Sequence, residues 1–124
     1  MAWQFQISTG ILRDAAGVVE TDIAYSGHPP HVNDASATGL KGVGPLPPGR
    51  YRIGFAQNDP HLGPCVMPLT PVDVPTIGDR GGFWIHGDNS HLNHTGSDGC
   101  MVVEPHGLRV RIAGSLDRDL EVVP

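Results

Sequence analysis

Positive charge is scarce in this sequence, and sulfur scarcer still. Eight Lys and Arg stand against thirteen Asp and Glu, a formal net charge of -5, and no basic stripe gathers on any segment. Nucleic acid and anionic membrane surfaces both require a basic face, so they are excluded as partners and a small or peptide ligand is expected. Two cysteines in 124 residues cannot form a disulfide framework. Their settings also differ. Cys65 lies in the apolar "CVMPL", where it reads as a small buried hydrophobe, while Cys100 follows a polar, glycine-rich turn, so two free thiols are expected. No apolar run approaches the roughly 18 residues of a membrane-spanning helix. The opening "MAWQFQISTG" has neither a basic start nor an apolar core, so no membrane insertion and no Sec signal of the chain's own are expected. With no repeat, charge block or linker, residues 1–124 read as one domain, long enough to bury a core without disulfides or metals.

Glycine and proline are plentiful, at 17 and 12 residues, while Trp3, Phe5, Phe55, Phe83 and Trp84 spread large apolar side chains along the chain. That combination predicts an ordered, loop-rich, mainly β protein. "WQFQIS" alternates apolar and polar residues, "TG" offers a turn and "ILR" resumes, the pattern of a hairpin or meander. "GVVETDIAYSG" supplies a further strand, and residues 27–44 form a long loop without periodicity. Strands are also predicted in "RYRIGF", "CVMPLTPV", "GGFWIHG", "MVV" and "LEVV", with Pro68 pushing its strand toward a sheet edge or a bulge. Phe83, Trp3 and Trp84 read as core. "EPHGLRVRIAGS" stays open between two forms: Leu108, Val110 and Ile112 alternate as in a strand, yet Pro105, the Leu108/Ile112 spacing and Gly114 fit a short helix.

Chemistry concentrates between Gly81 and Cys100, "GGFWIHGDNSHLNHTGSDGC". A cysteine attacks as thiolate, and its ordinary pKa of about 8.5 leaves only a few per cent ionised at neutral pH, so it needs a base or a cluster of N–H groups beside it. His86 ends an apolar strand pattern and would be held rigidly. Gly99 and Cys100 follow a tight turn whose backbone N–H groups could face a developing oxyanion. The competing reading is zinc held by His86, His91, His94 and Cys100, although the spacing H-x4-H-x2-H-x5-C matches no common structural zinc pattern. His91 and His94 also read as solvated loop residues.

The pair "IHG" and "SDGCMVV" resembles the signature of L,D-transpeptidases, an H-G dipeptide on a strand followed by S-x-G-C with the nucleophile, and "GPLPPGRYRI" is similar to that family's proline- and glycine-containing entry into a core strand. The chain looks most like the small L,D-transpeptidase effectors of type VI secretion, in its "W...STG.L" start, its "YSG", an arginine shortly before the histidine and its final "DRDLEVV". The resemblance implies a mainly β, sandwich-like or barrel-like catalytic domain with one or two short helices. It implies Cys100 as nucleophile, His86 as base, Gly87 as the residue whose carbonyl orients the imidazole, Ser97 as a brace for the turn, and Gly99 with Cys100 as oxyanion donors. Arg80 is expected to meet a substrate carboxylate, and Tyr25, Ser26 and Asp98 to line the cleft. Many relatives carry histidine where this chain has Asp98, which then either faces solvent or helps to position His86. The implied substrate is a peptidoglycan stem tetrapeptide, without a cofactor or metal. The implied setting is the periplasm or cell wall of a target cell after delivery from the cytoplasm, with room for an immunity protein as a further partner.

Overall fold

The computed structural model describes residues 2–87 and 99–124. In chain order the strands are β1 (Ala2–Gln6), β2 (Ile11–Arg13), β3 (Val19–Thr21), β4 (Tyr25–Ser26), β5 (Gly49–Ile53), β6 (Gln57–Asp59), β7 (Gly63–Asp73), β8 (Trp84–His86) and β9 (Met101–Val102). A helix α1 (His106–Ala113) and a last strand β10 (Asp119–Val123) follow, and Ala35–Ala37 forms a single 3-10 turn. The protein is mainly β, as its composition and alternation predict. Among the described residues the strands join in one mixed sheet of order β3-β2-β1-β10-β5-β7-β8-β9-β4, with β6 against β7. β1 runs parallel to β10 and β8 parallel to β9; the other pairings are antiparallel.

Alternation explains the core. Trp3, Phe5 and Ile7 of the first strand and its exit, Tyr51 and Ile53 of β5, and Leu120 and Val122 of β10 all point to one buried cluster. The last strand of the chain lies between β1 and β5, so the final residues close the middle of the sheet. α1 packs on β7. Its Leu108 and Ile112, one turn apart, are buried while Val110 is half exposed, so the helical spacing prevails over the apparent alternation. Arg118 then caps the helix, donating from Nη1 to the carbonyls of Ile112, Ala113 and Ser115.

Three expectations are corrected. Pro68 does not sit at an edge: β7 lies between β5 and β8, and Pro68 pairs with Trp84. Leu69 donates its N–H toward β8, to Phe83 at 2.9 Å, whereas the Pro68 carbonyl turns the other way and accepts from Gly54 at 2.8 Å. The missing proline N–H therefore falls on the flank where β5 ends and β6 has not begun, so no ladder bond is lost there. Cys65 is half-buried at φ 53°, not a core hydrophobe; both cysteines are free thiols. Trp84 is only partly buried, although Phe83 and Trp3 are core. Among the described residues no helix is long and apolar enough to cross a membrane.

Candidate active site

The parallel pair β8/β9 builds the site. Ile85 lies beside Met101 and His86 beside Val102, and the Val103 N–H bonds the His86 carbonyl at 2.8 Å. Ile85, Met101 and Val103 enter the main core, which turns the alternate residues to the other face. His86, Val102 and, beside Val102 on β4, Tyr25 are buried there outside that core cluster. Cys100 precedes Met101 by one residue. It stands just before β9, next to the parallel strand that carries His86.

His86 is 3% exposed, and its Nδ1 lies 2.7 Å from the carbonyl of Gly87. A carbonyl can only accept, so Nδ1 carries the hydrogen and, in the neutral ring, the lone pair resides on Nε2, the nitrogen on the far side of the imidazole. That tautomer is the one a general base requires. Cys100 is partly exposed, and its Sγ is 3.9 Å from the Gly82 carbonyl, a long and weak contact.

The turn carrying Cys100 is clamped from beneath. Ser26, fully buried, donates its hydroxyl to the Cys100 carbonyl at 2.7 Å and accepts the Leu46 N–H at 2.8 Å. Arg80 is 7% exposed, and its guanidinium donates to the carbonyls of Thr38, Pro45 and Gly44. It also lies 5.3 Å from the centroid of Phe83. Burial pulls the Arg80 pKa down, while nearby Tyr51 and Cys100 pull it up. Gly99 adopts φ +117°, and a Cβ there would stand 2.5 Å from Arg80 Nη2, so both backbone conformation and space demand glycine. Ser26 and Arg80 thus tie the end of the long 27–44 loop to the turn that carries Cys100. Both are supports buried behind it.

Gly87 is required for a matching reason. A Cβ on it would lie 2.8 Å from Nη1 of Arg109, a buried α1 residue that sequence reading passed over. Arg109 donates to the carbonyls of Cys65, Pro64, Val103 and Glu104. Its only signal in the sequence is its place beside Leu108 on the inward helix face. Ser97, Asp98, His91 and His94 lie outside the described residues. A separate hollow of about 310 Å³ lies between the N-terminal strands and the end of α1, and three polar side chains of its lining already have partners. Asp14 accepts from Ala16 and Val18, Arg111 pairs with Glu20, and Ser115 accepts from Trp3.

Ser26→Ala should lower stability by about 2 kcal/mol, because it leaves a buried N–H and a buried carbonyl unpaired. The check is the urea midpoint at unchanged denaturant slope.

Residues 20–123 match the family model of the Tlde1 domain. The chain belongs to the Tlde1 domain family. The Tlde1 domain is a type VI effector family. Comparison with curated proteins gives no match. The Tlde1 match contains both ends of the candidate site but starts after β2, although Trp3, Phe5 and Leu12 share its core. The folded unit is therefore larger than the matched segment.

Proposed function

We propose that this Tlde1-domain protein is a cysteine enzyme that cuts or exchanges the terminal D-alanine of peptidoglycan stem tetrapeptides. The observation that carries this reading is the Nδ1–Gly87 bond, which makes Nε2 of His86 basic on the strand beside the one that Cys100 leads into. Cys100 Sγ attacks the carbonyl between the L-centre of diaminopimelate and D-alanine, and a C–S bond forms. The oxyanion meets the N–H groups of Gly99 and Cys100. The C–N bond then breaks, His86 gives its proton to the departing amine, and D-alanine leaves. Water, activated by His86, hydrolyses the thioester, which is carboxypeptidase chemistry; a D-amino acid or the amine of a second stem in place of water gives exchange or cross-linking. Tyr25, buried beside Val102 on β4, is a further candidate to line the site. The effector family supports delivery by type VI secretion into the periplasm of a target cell, with an immunity protein guarding the producer.

The test is incubation of purified protein with defined disaccharide tetrapeptides and pentapeptides, reading D-alanine and new muropeptides by mass spectrometry. D-alanine released from tetrapeptides and not from pentapeptides is the expected result. Binding of tetrapeptide without release or exchange sinks the enzyme reading and leaves a peptidoglycan-binding module.

A further inference from the structure

Arg80 poses an electrostatic problem that the proposed chemistry does not use. A guanidinium only 7% exposed carries a full charge, and buried charges ordinarily sit opposite a charge of the other sign. Here the partners are three carbonyls and the face of Phe83. Among the described residues no carboxylate pairs with it. The neighbouring acidic residue, Asp79, reaches 3.4 Å from Lys41 at the surface instead. Tyr51, behind Phe83, is held as a neutral phenol by burial, and its hydroxyl donates to the Pro47 carbonyl.

Among the described residues, the remaining acid beside Arg80 is the thiol across Gly99. Nη2 of Arg80 lies 2.5 Å from where a Gly99 Cβ would stand, one residue from Cys100, and the interaction of Arg80 with Cys100 favours the charged guanidinium. That interaction is reciprocal: the cation favours the thiolate to the same degree. We propose that Arg80 is a positioning residue that supplies the counter-charge for the Cys100 thiolate, so that the thiol proton has moved to His86 before substrate arrives. The inference deepens the cysteine-nucleophile reading and takes from it that the thiolate is the working form.

The proton balance is closed. It passes from Sγ to Nε2 of His86, goes to the amine of D-alanine when the C–N bond breaks, and is replaced from the water that hydrolyses the thioester. Other groups set the size of the effect. His86 acts from β8, the Gly82 carbonyl opposes negative charge on sulfur, Tyr25 stands on β4 beside Val102, and Asp98 precedes the turn in the chain. Gly99 is the means of contact: it lets the guanidinium approach the turn backbone while Ser26 holds the Cys100 carbonyl in place.

The experiment follows iodoacetamide alkylation of Cys100 by mass spectrometry from pH 4 to 10, in a Cys65→Ala background so that one thiol reports. The parent should titrate well below the ordinary thiol value of about 8.5. Arg80→Gln should raise the midpoint by about one unit, a roughly tenfold loss of thiolate on the alkaline side of the original midpoint, and Arg80→Lys by less. An unchanged midpoint in folded Arg80→Gln overturns the proposal. Where circular dichroism shows Arg80→Gln unfolded, His86→Ala decides. A thiol still below about 8.5 without the imidazole supports Arg80 as its counter-charge, and a return to the ordinary value overturns it. The D-alanine assay separates the two readings. An Arg80-dependent acidic thiol with no D-alanine release sinks the proposed substrate alone, and release by an enzyme whose thiol ignores Arg80 sinks this inference alone.

Discussion

Cys100→Ala should abolish D-alanine release, by roughly a thousandfold or more, while the folded structure persists. The activity loss follows from removing the atom that forms the covalent intermediate: Nε2 of His86 can still take a proton, but no nucleophile is present to give one. The fold persists because the residue is anchored by its backbone. Its carbonyl accepts from buried Ser26, a bond alanine keeps, and the side chain is partly exposed. Thermal melts beside the muropeptide assay check both halves. A Cys100→Ala protein that still releases D-alanine would assign the chemistry to another group.

Arg109→Ala should have the opposite profile, a large loss of stability with chemistry failing as a consequence. Four carbonyls, of Pro64, Cys65, Val103 and Glu104, bond to this one guanidinium, at distances from 2.8 to 3.4 Å. They bring together β7, the exit of β9 and the start of α1. Truncation leaves buried acceptors unpaired and opens a cavity beneath Gly87, an expected cost of about 3–5 kcal/mol, or a midpoint lower by about 10 °C or more. Because Gly87 rests on the guanidinium and its carbonyl fixes the His86 tautomer, the imidazole should also lose its orientation. Arg109→Lys keeps the charge and part of the stem packing but not the fork, so it should recover only part of the stability. Calorimetry distinguishes these outcomes, and wild-type stability in Arg109→Ala would remove the role assigned here.

Two arginines account for the glycines beside His86 and Cys100. Gly87 and Gly99 are each the seat of a buried guanidinium, one beside the imidazole's anchor and one behind the turn that carries Cys100. Sequence reading assigned Gly99 to oxyanion donation and Gly87 to a carbonyl contact, both roles of backbone groups. Neither reading included the arginine that lies against the glycine. Arg80 was expected to meet a substrate carboxylate, but its fork is taken up by Thr38, Gly44 and Pro45. Ser26, read as a cleft residue, is fully buried under the Cys100 carbonyl.

Local patterning alone determined the mainly β character, the strands of the first and last segments, the two free thiols and the candidate His-Gly and Gly-Cys dipeptides. These depend on side-chain alternation, turn residues and short motifs, which neighbours in the chain suffice to specify. Tertiary structure alone decided that β10 fills the centre of the sheet, that Pro68 is tolerated inside it, and that 106–113 is helical. It also decided that β8 and β9 run parallel, which sets His86 beside Val102. Strand partners, and the carbonyls a buried arginine will meet, come from segments tens of residues away; their identity depends on how the sheet closes, which no local window of sequence contains.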